Sequence, residues 1–307
     1  MFAKRMGSVP ESGTVKIANL VSKLKGEGVD IISFSMGEPD FHTPENIKEA
    51  CVRSLSNDFT YYTPSAGIPE LRKAVAERCR QLNGIPCEAS NVLVTPTKQA
   101  IFMTMLAMVD DGDEVIVPDL AWGTFEACAR LAGGKVRYAN LSADNGFRMT
   151  PDLVSERISK RTKMIVLNSP SNPCGSVLTR DDVQGIADLA VDHDLYVLAD
   201  EIYNQLVFEG EHTSISSLDG MFDRTITVDG FSKSYAMTGW RAGWAVAPKP
   251  IFKELNKLQT QSITCVTSFV QEACLEALRG PQASVSMMKE EFRARRDLVR
   301  SLMDDIP

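Results

Sequence analysis

The sequence predicts an α/β fold, a three-layer sandwich in which helices cover both faces of a mostly parallel sheet. From residue 90 onward, strand-like and helix-like segments alternate repeatedly, which is the pattern of parallel strands joined by helical crossovers. Apolar runs with β-branched residues, such as Thr225–Asp229, are typical of buried strands. The 307 residues suffice to bury a full core, so we expect one large domain with smaller additions.

The N-terminal elements precede this alternation. Ser12–Glu27 predicts an arm that leads into a short helix, and Val29–Phe34 predicts an edge strand. The turn that follows contains Gly37, which can bring its backbone close to a ligand. Thr43 and Pro44 predict a helix start, with Thr43 as the hydroxyl cap and Pro44 at the first helical position.

The remaining elements follow in order along the chain. The predicted strands are Asn91–Thr95, Glu114–Val117, Lys135–Ala139, Lys163–Leu167, Leu195–Ala199, Thr225–Asp229 and Ala242–Ala247. The predicted helices are Pro69–Leu82, Thr97–Val109, Gly123–Ala132, Thr179–Asp192, Pro250–Arg279 and Gln282–Met303. The crossovers should be right-handed. Ligands of open α/β sheets bind at the carboxyl ends of the strands, so residues just past those ends are the candidates for chemistry.

The composition argues against several classes of function. A formal net charge of −7 and a pI near 5.2 argue against a nucleic-acid partner, because binding phosphates needs a basic face. No apolar run approaches the ~18 residues of a membrane span, and the first residues lack a signal-peptide core. We therefore expect a cytoplasmic protein with no membrane partner. No G-x-G-x-x-G motif opens a helix after a strand, which argues against a nicotinamide dehydrogenase.

The cysteines and histidines indicate no metal chemistry. Seven scattered cysteines form no C-x-x-C pair, and the three histidines show no metal-ligand spacing. We therefore expect reduced, mostly structural thiols and no metal site.

Lys233 lies just past the carboxyl end of the strand predicted at Thr225–Asp229, and Arg241 lies eight residues further on. An amine and a guanidinium this close suit a phosphorylated aldehyde cofactor, because the amine forms a Schiff base and the guanidinium grips the phosphate. The same spacing taken alone is more often a surface lysine and arginine that flank a loop.

Two further strand ends carry candidate ligand-binding residues. Thr97 and Lys98 open a helix, where free N–H groups and the helix dipole can bind a phosphate, although an ordinary loop capped by Thr97 fits the sequence equally well. Asp200 ends an apolar strand, where a carboxylate is costly to bury unless a cation pairs with it. A helix-capping role for Asp200 is the alternative.

The segment Asp229–Trp244, DGFSKSYAMTGWRAGW, resembles the lysine signature of the class I and II aminotransferases, fold-type I enzymes that use pyridoxal 5′-phosphate. The resemblance runs from Ser12 to the last residue. It implies that Lys233 carries the cofactor as a Schiff base and then moves a proton as general base and acid. It also implies that Asp200 pairs with the protonated ring nitrogen and that Arg241 binds the phosphate.

The same resemblance assigns roles to residues elsewhere in the chain. It implies that Asn172 and Tyr203 hydrogen-bond the phenolate oxygen of the cofactor, with Tyr203 a third catalytic residue, and that Trp122 stacks on the ring. Gly37 would lie beside the substrate carboxylate, and Asn172 would also face the substrate. Tyr62 matches a tyrosine that reaches the cofactor phosphate of the neighbouring subunit, which implies a homodimer with shared active sites.

The sequence departs from the family pattern at three places. Pro96-Thr97 replaces the usual Gly-Ala or Gly-Ser pair, Cys174 replaces a common Thr, and Gly230 stands where part of the family has a phosphate-binding Ser. Ser232 is therefore the nearest hydroxyl and a candidate contact of the phosphate. The loop of residues 168–175 contains two X-Pro bonds, which makes it stiff and able to hold a cis bond.

The resemblance also implies a domain division. Residues 1–42 would form an N-terminal arm and part of a small domain, residues 43–280 the large cofactor-binding domain, and residues 281–307 an interdomain helix that begins an incomplete C-terminal small domain. The arginine that clamps the substrate carboxylate in the family would follow these residues, so cofactor binding with little turnover is one expectation.

The implied reaction is the ping-pong transfer of an amino group between an L-amino acid and a 2-oxo acid, a step of biosynthetic amino acid metabolism. A pyridoxal-phosphate lyase of the same fold is the first alternative, and release of pyruvate or a thiol from one amino acid would distinguish it. A nonenzymatic binding module, such as the sensor half of a transcription regulator, is the second. The sequence does not identify the amino donor or acceptor.

Overall fold

The computed structural model describes residues 2–9, 13–35, 37–304 and 306, and describes no side chain for Thr14. Ser12 of the predicted arm and Met36 of the predicted turn lie outside the described residues. Among the residues that are described, no helix is long and apolar enough to cross a membrane.

The described chain forms one sheet of seven strands. They are β1 Val92–Val94, β2 Glu114–Pro118, β3 Lys135–Ala139, β4 Thr162–Asn168, β5 Tyr196–Asp200, β6 Thr225–Gly230 and β7 Gly243–Val246. The strand order is β1-β7-β6-β5-β4-β2-β3. Neighbours from β6 to β3 pair in parallel, and β7 is antiparallel to both β1 and β6, which confirms the prediction of a mostly parallel sheet.

Ten α-helices accompany the sheet in the described residues. They are α1 Gly13–Gly26, α2 Glu45–Ser56, α3 Pro69–Asn83, α4 Thr97–Met108, α5 Thr124–Leu131, α6 Pro151–Ser155, α7 Arg180–Asp192, α8 Lys249–Ser262, α9 Ser268–Arg279 and α10 Ala283–Met303. Buried side chains of α4, α5 and α8, such as Ile101, Phe125 and Leu255, form one core cluster. Side chains of α3, α9 and α7 form two more, with other strand residues. The helices thus cover both faces of the sheet, as predicted.

The edge strand predicted at Val29–Phe34 does not form. These residues have no sheet partner within the described chain, and Ile32 and Phe34 are 86% and 95% exposed. A β-strand exists only by its hydrogen bonds to a neighbouring strand, so the apolar pattern alone could not make one.

The helix predicted at Pro250–Arg279 is two helices, α8 and α9. The helical conformation is interrupted between them, where Thr264 has a left-handed φ of 64°. Just before the break, buried Gln259 donates from Nε2 to the carbonyl oxygen of Val94 at 2.9 Å, which anchors the end of α8 to β1. The short helix α6 was absent from the predicted elements.

The predicted Thr43 cap is wrong, and the alternative interpretation of Thr97 as a helix cap is not borne out, because tertiary contacts take both hydroxyl groups. Thr43 Oγ1 donates to the carbonyl oxygen of Ala236 at 2.7 Å and accepts from Trp240 Nε1 at 2.9 Å. Thr97 Oγ1 donates to the carbonyl oxygen of Asp229 at 3.1 Å. Prolines occupy the N-cap positions of α2 and α4, where no side chain caps the helix.

Candidate active site

The site lies where the parallel strands end. β4, β5 and β6 are adjacent and end at Asn168, Asp200 and Gly230. Because β7 runs against β6, its first residue, Gly243, pairs with Gly230 at the same edge. Helix α4 begins there too, where Thr97 contacts Asp229. Topology therefore brings together segments that are more than a hundred residues apart in sequence.

Lys233 lies three residues beyond β6, with its ammonium group inside the site. Its Nζ donates to the carbonyl oxygen of Gly37 and lies 5.7 Å from the ring centroid of Tyr203. Burial lowers the pKa of Lys233 below its ordinary value, nearby Arg241 lowers it further, and Glu38 and Asp200 oppose the shift. A lowered pKa increases the neutral fraction of the amine, which a nucleophile or general base requires.

Asp200 is a buried carboxyl group in need of a cation. It is 3% exposed, and Oδ1 accepts a hydrogen bond from the N–H of Ile202 at 3.2 Å. Burial raises the pKa of Asp200 to about 7, and the acids Asp229 and Glu201 contribute to the rise. No ion pair to Asp200 forms within the described chain, so a ligand nitrogen that carries a proton fits this position.

The side chains of Asn172 and Tyr203 lie next to each other in the site. Asn172 Nδ2 lies 3.5 Å from the Tyr203 hydroxyl group, and the N–H of Asn172 donates to Asn168 Oδ1 at 2.7 Å. Burial raises the pKa of Tyr203 to about 12, with a contribution from Asp200, so its hydroxyl group stays protonated and can donate. Both X-Pro bonds of the loop that carries Asn172 are cis.

Two cations and a helix N-terminus form a place for an anion. Lys98 Nζ lies 4.5 Å from the ring centroid of Trp122, and Arg241 Nη1 donates to the carbonyl oxygen of Thr238 at 2.8 Å. Burial lowers the pKa of Lys98, and the charge of Arg241 adds to the effect. Neither cation pairs with a carboxylate in the part of the chain that the structure describes. The first N–H groups of α4, at Thr97 and Lys98, are also free for a ligand.

Two predicted residues are less closely tied to this arrangement. Ser232 is half-buried next to Lys233, and its hydroxyl group makes no hydrogen bond within the described chain. Tyr62 is 86% exposed, and its side chain makes no hydrogen bond or ring contact with the other described site residues. Within a single chain, Tyr62 therefore lies on the surface, outside the buried part of the site.

Gly230 is required by close packing rather than by ligand binding. A Cβ atom there would lie 2.8 Å from Gly243 Cα and 2.8 Å from Thr97 Oγ1. The serine that part of the family has at this position would collide with the backbone of Gly243 and with the Thr97 side chain. The threonine at position 97 therefore requires glycine at position 230.

We expect Gly230→Ala to lower the free energy of unfolding by about 2 kcal/mol, because the backbone of Gly243 cannot move away from the added Cβ. Urea unfolding measures this change. Gly123→Ala is the matched control, since Gly123 has a φ of −57° and no atom within 4 Å of an added Cβ. Equal stability of the two variants would contradict the packing argument.

A buried polar layer behind the site was missed at the level of sequence. It contains Arg78, Glu201, His212 and Asp229, with Arg78 Nη2 3.8 Å from Asp229 Oδ2. Burial raises the pKa of Asp229 to about 6, although Arg78 opposes the rise. The available signal was the acidic pair Asp200-Glu201 at the end of an apolar run, where one acid can face the ligand and the other the interior.

A cavity of about 760 Å³ opens beside Lys233. Its wall combines apolar side chains with arginines of α10: Val207, Phe208, Phe292, Val299, Arg295, Arg296 and Arg300. Arg295 and Arg296 are paired with Asp40 and Glu209, whereas Arg300 has no carboxylate partner among the described residues. The cavity can therefore hold a small molecule that has both apolar and anionic parts.

Comparisons with known proteins agree with this arrangement. The family model described as "Aminotransferase class I and II" matches residues 29–307. The chain is 42% identical to the aspartate/prephenate aminotransferase of Thermus thermophilus, over 97% of this chain and 78% of that protein. It is 39% identical to the aspartate aminotransferase of Pyrococcus abyssi, over 99% of this chain and 79% of that protein. The solved structure of Thermus thermophilus aspartate aminotransferase with maleate superposes with a TM-score of 0.96 at 40% identity, covering 99% of this chain and 80% of that chain.

Proposed function

Because the chain belongs to the class I and II aminotransferases, which are pyridoxal-phosphate-dependent enzymes, we propose roles for its residues in holding the cofactor and moving the amino group. The observation that carries the proposal is the buried, unpaired Asp200 at the same sheet edge as Lys233. Such an acid needs a cationic partner, and the pyridine nitrogen of this cofactor provides one.

Each part of the cofactor has a matching binding residue in this chain. Asp200 pairs with the ring nitrogen, and Asn172 and Tyr203 donate to the phenolate oxygen. Trp122 packs on the ring, because a flat aromatic side chain suits a flat conjugated ligand. The residues that bind the phosphate are Arg241, Ser232 and the N–H groups of Thr97 and Lys98.

When bound, pyridoxal phosphate supplies an aldehyde that reacts with amines and a ring that accepts electrons. Lys233 Nζ provides the proton transfer at the substrate α-carbon, first as general base and then as general acid. Its lowered pKa increases the neutral fraction of the amine, which the general-base step requires. Asp200 stays ionised next to the ring, and the carbonyl oxygen of Gly37 orients the amine of Lys233 whenever that amine is free. An L-amino acid thus gives its amino group to a 2-oxo acid in two half-reactions.

The preferred donor is an acidic amino acid such as aspartate. This is supported by the names of relatives that are about 40% identical and by Arg300, which lines the cavity beside Lys233 and has no carboxylate partner among the described residues. An aromatic donor is the second candidate, because Phe208 and Phe292 line the cavity and a 39% identical relative is named aromatic-amino-acid aminotransferase 2.

A panel of amino donors with 2-oxoglutarate tests these assignments. We expect aspartate to bleach the cofactor absorbance in a half-reaction and to give the highest kcat/KM, above phenylalanine and alanine. Release of pyruvate or a thiol from a single amino acid, without transfer to a 2-oxo acid, would instead identify a lyase.

The active protein is a homodimer in which Tyr62 of one subunit binds the cofactor phosphate in the other. The high exposure of Tyr62 in a single chain supports this arrangement. The large cofactor-binding domain is residues 43–280, since all seven strands and the site residues from Thr97 to Arg241 fall within it. Residues 1–42 and 281–307 belong to the arm and the small domain.

Tyr62→Ala is expected to weaken cofactor binding about tenfold, because a hydrogen bond to a charged group contributes roughly 1.5–3 kcal/mol. Fluorescence titration of the protein without cofactor measures this affinity. Tyr61→Ala is the matched control, since its side chain is 79% exposed and adjacent in sequence. In a mixture of Tyr62→Ala and Lys233→Ala chains, recovery of high-affinity, active sites would support sharing between subunits, and its absence would argue against it.

A further inference from the structure

Next to Asp200 lies a buried pair formed by the side chains of Glu201 and His212. His212 Nε2 is 3.1 Å from Glu201 Oε2, and the two side chains are 9% and 4% exposed. Glu201 also accepts from Asn83 Nδ2 at 3.0 Å and from Ser214 Oγ at 2.6 Å. The carboxylate of Glu201 is thus fully engaged, and only His212 among these partners can neutralise its charge.

The charges that face this pair come from the neighbouring strands and from α3. Asp229, at the end of β6, acts on both His212 and Asp200. Arg78 of α3 lies 3.8 Å from Asp229, and Lys233 also acts on Asp200. Arg78 therefore balances Asp229, which leaves His212 as the balance for Glu201.

A small cavity of about 10 Å³ lies between the pair and Asp200. Asp200, Glu201 and His212 all line it, and its size is close to that of one water molecule. Neither buried ring nitrogen of His212 makes a hydrogen bond of good geometry within the described chain: Nε2 has its 3.1 Å charge contact with Glu201, and Nδ1 has no partner. A single bridging water would satisfy this atom and link the imidazole to the carboxyl group of Asp200.

The charge of the pair acts on Asp200 because Glu201 is its neighbour in the chain and both carboxyl groups are buried. Glu201 and Asp229 both raise the pKa of Asp200. Burial lowers the pKa of His212, but the charge and hydrogen bond of Glu201 outweigh it, so the pKa of His212 is raised overall and its charged form is favoured. With His212 protonated, the pair is neutral. Without that proton, a second unpaired negative charge would stand beside Asp200.

We propose that His212 is a positioning residue which, by neutralising Glu201, keeps Asp200 ionised under the cofactor ring. The inference rests on the proposed pairing of Asp200 with the ring nitrogen. The role of His212 is electrostatic and depends on the net charge of the Glu201–His212 pair. Removing both charges together should therefore leave Asp200 ionised, whereas removing the charge of His212 alone should not.

The test measures the carboxyl group of Asp200 in the full chain without cofactor, by carbon NMR titration, with Asp200→Asn identifying the signal. We expect His212→Gln to raise the titration midpoint by about one pH unit and to weaken pyridoxal phosphate binding about tenfold at pH 7. In the double variant Glu201→Gln/His212→Gln, the titration midpoint of Asp200 should return to within a few tenths of a pH unit of the unmodified chain. The affinity for pyridoxal phosphate should return to within about twofold.

Ser214→Ala is the matched control, because it removes a hydrogen bond of Glu201 and leaves both charges in place. A merely structural role would leave the double variant at least as impaired as His212→Gln, and that result would overturn the inference.

Should His212→Gln fail to fold, nitrogen NMR of the unmodified chain decides instead: His212 doubly protonated at pH 7 supports the proposal, and neutral His212 refutes it. If Asp200→Asn binds the cofactor normally, the proposed function of Asp200 fails, independently of His212.

Discussion

Lys233→Ala is expected to lower the rate of transamination by at least about 10³-fold, because one side chain provides both the covalent attachment and the proton transfer. The fold should be unaffected, since Lys233 makes no ion pair within the described chain and its Nζ contacts the Gly37 carbonyl oxygen. Lys233→Arg should be equally inactive, because a guanidinium stays charged and cannot act as a nucleophile.

Borohydride reduction with bound pyridoxal phosphate, followed by peptide mapping, gives an independent measurement. We expect the label on Lys233 and its loss in Lys233→Ala. Lys257→Ala is the control, because Lys257 is an exposed lysine on α8 that pairs only with Glu254. A label on another lysine, or a Lys233→Ala variant that still completes the half-reaction at a normal rate, would contradict the assignment of Lys233 as the cofactor-binding and proton-transferring lysine.

Asp200→Asn is expected to change activity and stability in opposite directions. The neutral amide cannot hold a proton on the ring nitrogen, so the rate should fall by about 10²–10⁴-fold. Without cofactor, however, the same change removes a buried carboxylate whose pKa is raised from 3.8 to about 7. At pH 8 we expect a gain of about 2–4 kcal/mol in the free energy of unfolding.

The pH dependence follows from the direction of this shift. Between about pH 4 and 7, the folded chain binds a proton at Asp200 that the unfolded chain has released. Its contribution to stability is therefore present below pH 4 and is lost as the pH rises through about 7. Denaturant unfolding at pH 5 and pH 8 measures this loss, which Asp200→Asn should abolish.

Asp229→Asn is the contrasting variant, because Asp229 is equally buried but pairs with Arg78. Removing this acid leaves a guanidinium that is only 8% exposed without a carboxylate partner, and this cost offsets the relief of no longer burying the carboxylate of Asp229, whose pKa is raised to about 6. The gain in stability at pH 8 should therefore be smaller for Asp229→Asn than for Asp200→Asn. If the cofactor-free Asp200→Asn chain gains no more stability than Asp229→Asn does, Asp200 already has a cationic partner in the protein, and the argument for the ring nitrogen weakens.

The sequence predicted most of the sheet because buried strands and amphipathic helices leave a local signature. β3 was predicted with the bounds that the structure has, and β1 and β5 within one residue at each end. The predicted edge strand at Val29–Phe34 failed because no described strand pairs with it, and an apolar pattern alone does not supply a hydrogen-bond partner. The predicted cap at Thr43 and the alternative cap at Thr97 failed because distant carbonyl oxygens compete for their hydroxyl groups.

The sequence by itself determined the family of this protein and the order of its strands and helices, since both follow from local patterns around residues such as Lys233. Only the tertiary structure decided which charges surround Asp200. Its neighbours Glu201, His212 and Asp229 come together through the pairing of β5 with β6 and the return of the chain after β5. Electrostatic interactions between buried groups depend on distance and desolvation, and neither is encoded in sequence separation.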